Sequence, residues 1–135
     1  MGDKISVVIA GLDRFVADQV RDLTFEITAN LSERTPIDIG WARANWIPSV
    51  GQPSAIVIDG DPDRGDVAVA LGRQSAGLSQ VAGYRLSAGS TFVSNNAPYI
   101  RRLNDGWSKQ APSGYIQAEI RRAVRTVKAR YRGRR

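Results

Sequence analysis

Four aspartates, Asp59, Asp61, Asp63 and Asp66, crowd the segment DGDPDRGD, and carboxylates at that density could hold a calcium ion. The first three match loop positions one, three and five of a calcium loop. Position six, however, is Arg64 where the sharp turn needs glycine, and position twelve is Ala70 where a bidentate glutamate belongs. A solvated turn is expected instead, with Asp63 or Asp66 capping the helix that follows. Other chemistry is harder still to assemble. The chain has no cysteine and no histidine, which removes thiolate nucleophiles, imidazole bases, disulfides and the usual zinc ligands together. DGDPDRGD lacks the lysine and spacing of a phosphate loop, no Gly-x-Gly-x-x-Gly follows a strand, and Ser108-Lys109 is a turn fragment with no nucleophile-elbow setting. No catalytic residue, metal or cofactor is expected, and the chain reads as a binding protein and not as an enzyme.

Recognition chemistry is concentrated in the stretch NNAPYIRRLNDGWSKQAPSG, residues 95–114. Asn95 and Asn96 can end a strand, and Pro98 holds Ala97 extended. Tyr99, Ile100 and Leu103 form one apolar turn, closed by Asp105-Gly106. Arg101, Arg102, Lys109 and Gln110 surround Trp107, whose ring either folds back on the core, as most tryptophans in small domains do, or is offered to a partner. A second cluster, TPIDIGWARANW, carries Asp38, Trp41, Arg43 and Trp46. Here Asp38 is placed to cap a short helical turn that wedges Trp46 into the core. The alternative is an Asp38–Arg43 charge pair that orders a docking surface.

The elements that must position these clusters follow from periodicity. Leu12, Phe15, Val16, Val20, Leu23, Ile27 and Leu31 recur at helical spacing and predict a helix of about 20 residues, ended at Thr35-Pro36. Phe25 and Thr28 fall off that stripe, as a second contact surface or as semi-exposed residues. Residues 2–10, GDKISVVIA, suit an edge strand or an apolar arm lying along the first helix. Ile47–Val50 predicts a strand stopped at Gly51-Gln52-Pro53, and Ala55–Ile58 a further short one. Val67–Gln80 fits a helix better than a strand, despite Gly72 and Gly77. Tyr84-Leu86 and Thr91–Val93 predict a hairpin through Gly89. Ser113 is expected to cap a final helix with the stripe Ile116, Ile120, Ala123, Val124, Val127 and Tyr131.

The opposite face of that last helix is basic: Arg121, Arg125, Lys128 and Arg132 step round it at intervals of four, three and four, flanked by Arg122 and Arg130. Charge is accordingly uneven. Residues 101–135 hold 11 basic and 2 acidic side chains, whereas residues 1–100 hold 8 and 11, within a net charge of +6. Such asymmetry points to an acidic partner, either nucleic acid or a carboxylate-rich protein surface. The 135 residues fit a single α+β domain, with the N- and C-terminal helices packed on a small, mainly antiparallel sheet, an extra helix in the middle and a frayed basic end from about residue 130. No apolar run reaches the roughly 18 residues of a membrane helix, and the MGDK start is unlike a signal peptide, so no membrane partner is expected.

Two motifs in this order carry a resemblance. Thr35, Pro36, Asp38, Gly40, Ala42, Arg43 and Trp46 form the first, and Asn96, Pro98, Tyr99, Leu103, Gly106, Ser108, Gln110, Pro112 and Gly114 the second. With the long helix before them and the terminal helix after, the chain resembles the neck and tail-completion (minor tail protein Z-like) family of long-tailed bacteriophages, over nearly its whole length outside residues 51–90. The family pattern carries threonine where this chain has Ile39, and Trp41 and Trp107 are particular to this chain, so local docking contacts are expected to differ. The resemblance implies a non-catalytic virion protein of the head-to-tail junction, in a neck, tail-completion or tail-terminator role, made in the host cytoplasm. It implies a homo-oligomeric ring, expected to be a hexamer, that contacts other neck and tail proteins and lets DNA pass. Interface candidates are Asp38, Trp41, Arg43, Tyr99, Arg101, Arg102, Trp107, Lys109 and Gln110. The basic face of Arg121, Arg122, Arg125, Lys128 and Arg132 is expected to meet an acidic partner or passing DNA without sequence preference. The competing expectation is a small nucleic-acid-binding module that uses the same helix.

Overall fold

A 33-residue helix, α1 (Gly2–Arg34), runs for about 50 Å and carries the rest of the chain on its C-terminal two thirds. The computed structural model describes residues 2–35, 40–55, 67–97 and 99–132. Ile5, Ile9, Leu12, Val16, Val20, Leu23, Ile27 and Leu31 alternate by threes and fours, which places all eight on one face. Residues 2–10 are neither an edge strand nor an arm folded back along the helix: they are its first turns. β-Branched residues cost a helix only about 0.5 kcal/mol each, each added residue gains a backbone hydrogen bond, and Ile5 and Ile9 are in phase with the stripe behind them. At the other end, Thr35 donates both its N–H (3.0 Å) and its hydroxyl (2.6 Å) to Leu31 O and closes the last turn. The off-stripe residues Phe25 and Thr28 face inward, lining a hollow against Gln74 and Leu78 of the same chain.

The short helix α2 (Gly40–Ala44) leads into strand β1 (Ile47–Val50). Trp46 is buried, as expected of a residue wedged into the core, and its indole N–H donates to Thr35 Oγ1 at 2.7 Å. Helix α3 (Val67–Ala82) packs across β1. Gly77 marks the crossing, since a Cβ there would lie 2.2 Å from Pro48 O, inside van der Waals contact. Gln74 ties this layer together by donating to Ser32 Oγ and to Trp46 O, both at 2.9 Å.

Strand β2 (Thr91–Ser94) pairs antiparallel with β1, in the register Ile47↔Ser94, Pro48↔Val93, Ser49↔Phe92 and Val50↔Thr91. The expected hairpin between residues 84–86 and 91–93 does not form. Leu86–Ala88 is a single 3-10 turn, in which Ala88 N–H donates to Arg85 O and Gly89 N–H to Leu86 O. Local bonds thus consume donors that a ladder would need, and Tyr84 is buried with its hydroxyl on Gly89 O. Released from a local partner, β2 finds β1 instead. Ala55 is not in a strand, and residues 56–58 of the second expected strand lie outside the described residues, as do Pro36, Asp38, Ile39 and all four aspartates of the acidic turn.

Helix α4 (Ile100–Asn104) and the terminal helix α5 (Tyr115–Tyr131) complete the chain. Contacts between residues 22 and 131 and between 30 and 119 set α5 antiparallel to α1. The Tyr131 hydroxyl donates to Asp22 Oδ2 at 2.6 Å, its ring meets Phe15 edge-on at 5.7 Å, and Arg130 reaches Asp22 and Glu26 at 3.6 and 3.5 Å. Of the predicted α5 stripe, Ala123, Val127 and Tyr131 are buried, whereas Ile120 and Val124 remain exposed. The interior is built largely from small residues: Ala17, Ala42, Ala44, Ala70, Ala97, Ala111 and Ala123 are all buried. No helix among the described residues is long and apolar enough to cross a membrane.

Candidate interaction surface

The stretch from Asn95 to Gly114 is held from beneath by a small core. Leu103 and Ala111 pack with Ala97, Tyr115 and Ala42 of α2, with Tyr99, Ile100 and Ile116 against its edge. The two sequence clusters therefore meet in space, joined through an alanine. Hydrogen bonds fix the join: Asn95 Nδ2 donates to Ala42 O at 2.8 Å, and Ala97 N–H to Asn95 Oδ1 at 3.0 Å, an Asx turn that ends β2. Asn96 Nδ2 donates to Ser54 O at 2.9 Å and pins the segment after β1.

Ser113 does not cap α5. The capping position is Gly114, which offers no side chain, and the cap comes from α4: Asn104 Oδ1 accepts the Ile116 N–H at 3.0 Å. Asn104 O also accepts the Gly114 N–H at 2.7 Å, and its Nδ2 donates to Gln117 Oε1 at 3.0 Å. One residue thus satisfies orphan donors of α5 while clamping both ends of the 105–113 loop. The turn after α4 passes through Gly106 at φ +90°, a left-handed conformation that side chains with a Cβ resist.

On this scaffold Trp107 is 73% exposed, so the expectation of a core tryptophan is overturned. The Asp105-Gly106 turn carries the ring away from the core that Leu103 fills. Its face instead receives the Arg102 guanidinium, 5.1 Å from the ring centroid, a cation–π contact worth about 0.5–1 kcal/mol at an exposed site. Arg101, Lys109 and Gln110 are exposed beside it, and Tyr99 is half-buried at the base. The result is a flat aromatic and cationic platform on a loop clamped at both ends.

Arg43 is placed differently. It is half-buried, and its Nε donates to Ser32 O at 2.6 Å, one of the terminal carbonyls of α1. A cation there satisfies an orphan acceptor and opposes the helix dipole, so its role in this chain is to brace α2 against α1. The proposed pairing of Arg43 with Asp38, and the side chain of Trp41, lie outside the described residues. Beneath the brace sits a buried polar hub. Thr35 Oγ1, which accepts from Trp46, also lies 3.4 Å from the Tyr115 hydroxyl. Burial raises the Tyr115 phenol above its ordinary 10.0, partly offset by the hydrogen bond to Thr35.

Along α5, Arg121, Arg122, Arg125, Lys128 and Arg132 are all exposed. Arg122 lies 3.8 Å from Glu119, while no ion pair among the described residues engages Arg121, Arg125, Lys128 or Arg132. Sequence reasoning had no account of Asn104 or of the Thr35 hub. A polar residue just before an Asp-Gly turn was the available sign for the first; the second needs three segments distant in sequence. Comparison with known proteins finds no matching family model, no matching curated protein and no matching solved structure.

Proposed function

We propose that this chain is a structural, non-catalytic protein of a phage head-to-tail junction, which assembles with copies of itself into a ring and presents the Trp107 platform to a neighbouring protein. The observation that carries the reading is the exposed Trp107–Arg102 pair on a loop clamped by Asn104 and underpinned by Leu103. Tryptophan and arginine are the residues that most often dominate interface energetics, and a clamped loop loses little conformational freedom on docking. The order of the two sequence motifs supplies the phage assignment. Electron microscopy of the purified protein tests it: rings of uniform diameter support the reading, and isolated monomers at every concentration oppose it.

A second reading, a nucleic-acid-binding module, draws on Arg121, Arg125, Lys128 and Arg132, which lie on one helix face and make no ion pair among the described residues. Binding of that kind neutralises phosphates and weakens steeply as salt is raised. We favour an acidic protein surface as the occupant of this face. Monomers that bind duplex DNA in low salt and release it in moderate salt would favour the second reading over the first.

A further inference from the structure

The two edges of the β1–β2 sheet are treated differently by the fold. Gly51 N–H donates to Ser90 O at 2.8 Å, which continues the ladder and fixes its phase. Residues 47, 49 and 51 thus turn their backbone groups toward β2, and residues 90, 92 and 94 turn theirs toward β1. The backbone groups of residues 46, 48 and 50 on one side, and of Thr91 and Val93 on the other, point out of the sheet. Helix α3 closes the first edge. Trp46 O accepts from Gln74 Nε2 at 2.9 Å, and Val50 N–H donates to Gln80 Oε1 at 3.3 Å. Pro48 between them has no N–H, and its carbonyl lies so near Gly77 that a Cβ there would be 2.2 Å away. An edge closed in this way does not template a further strand.

The β2 edge is open. No hydrogen bond among the described residues reaches the N–H or C=O of Thr91 or Val93, and both residues are only half-buried. Beside them runs a cleft floored by Val20, Leu23 and Ile27 of α1, with Ile116 and Ile120 of α5 across it. Next along α5 come Arg121 and Arg125, exposed and without an ion pair among the described residues. An open backbone edge takes an extended backbone, an aliphatic floor takes apolar side chains at alternate positions, and cations at the rim take carboxylates.

One stretch of this chain carries all three in order. Ile56, Val57 and Ile58 are consecutive β-branched residues, and Asp59, Asp61 and Asp63 follow directly. The stretch belongs to neither β1 nor β2. In its own molecule it starts from the wrong side of the sheet, because Pro53, Ser54 and Ala55 line a hollow against Arg73, Gly77 and Gln80 of α3, where the edge is closed. We infer that residues 55–63 of a second copy add to β2 as a third strand, with aliphatic side chains in the cleft and aspartates toward Arg121 and Arg125. Exposed ion pairs add little affinity, so the strand's hydrogen bonds and buried side chains carry the contact. Edge and strand are different patches, so copies join head to tail and close into a ring where the rotation permits. The inference rests on the proposed self-assembly and adds to it the surface that neighbours use, leaving the Trp107 platform for another protein.

Proline substitution tests it. Val93→Pro removes an outward N–H and no bond to β1, the arrangement Pro48 already has on the other strand. Its melt should match the wild type, while self-association falls by at least about 30-fold. Val93→Thr keeps the N–H and the side-chain shape and should assemble as the wild type does. Ile56→Pro with Val57→Pro removes a facing donor whichever way the strand lies, and should weaken assembly equally. Mixed, the edge variant and the segment variant should form a one-to-one dimer that grows no further, because each keeps what the other lacks. Should Val93→Pro fail to fold, amide exchange in the wild type takes its place. Thr91 and Val93 should exchange freely in dilute monomer and slowly in the assembly, whereas Phe92, paired with Ser49, is slow in both. Wild-type assembly by Val93→Pro, or exchange at Thr91 and Val93 unchanged on assembly, would overturn strand addition while leaving the ring intact. Loss of assembly in the edge variant alone would overturn residues 55–63 as the occupant. Slow exchange at Thr91 and Val93 in dilute monomer would overturn pairing between copies. A wild-type chain that stays monomeric at every concentration would overturn both this inference and self-assembly.

Discussion

Trp107, on the loop, and Tyr115, eight positions on at the start of α5, do opposite work. Among the described residues Trp107 rests on Arg102 and the Asp105-Gly106 turn and lies outside the core, so its removal leaves that core untouched. Trp107→Ala should keep the monomer's thermal melt and cost on the order of 2 kcal/mol in binding to the neighbouring protein, as measured by sedimentation or calorimetry. A core tryptophan would instead lose roughly 3–5 kcal/mol of folding stability. Tyr115 belongs to the interior, where burial disfavours its phenolate. Its folded value lies above its unfolded one, so the stability it contributes is complete below about pH 10 and is lost as pH rises through the folded value. Urea melts at about pH 9 and about pH 11 should show a smaller loss for Tyr115→Phe than for the wild type; equal losses would remove Tyr115 from the account.

Among the elements, α5 joins the two surfaces: one face packs on α1, and the other carries Arg121, Arg125, Lys128 and Arg132, which no ion pair among the described residues engages. Arg121→Glu with Arg125→Glu should leave folding intact, since both side chains are exposed, and should weaken association with the proposed acidic protein partner, the more so in low salt. Unaltered association with altered DNA passage would shift this face from protein to DNA. Element type was legible wherever a long stripe repeated, as in α1, α3 and α5. It failed where local and distant bonds competed. GDKISVVIA has strand-forming residues, yet its phase matches the helix that follows. Residues 84–93 have the alternation of a hairpin, yet a 3-10 turn at Leu86–Ala88 uses the local donors and β2 pairs with β1, forty residues upstream. The α5 cap was illegible for a related reason, because Asn104 lies on another element and periodicity does not report which side chain reaches across a turn. For the site, the composition of residues 99–110 marked the right loop, but exposure of Trp107 depended on Leu103 already filling the space below.

At the scale of the whole molecule, a small-residue core, an exposed apolar face on the first turns of α1 and a loop-borne aromatic platform all leave recognition surface uncovered. Contiguous exposed apolar area of this kind marks interaction surfaces. The proposed assembly would employ these features together. The mass of the purified particle in solution, by light scattering or native mass spectrometry, addresses this most directly. The account predicts one closed species whose mass is a fixed multiple of 14.7 kDa, unchanged on dilution over a wide range. A single 14.7 kDa species at every concentration would contradict it.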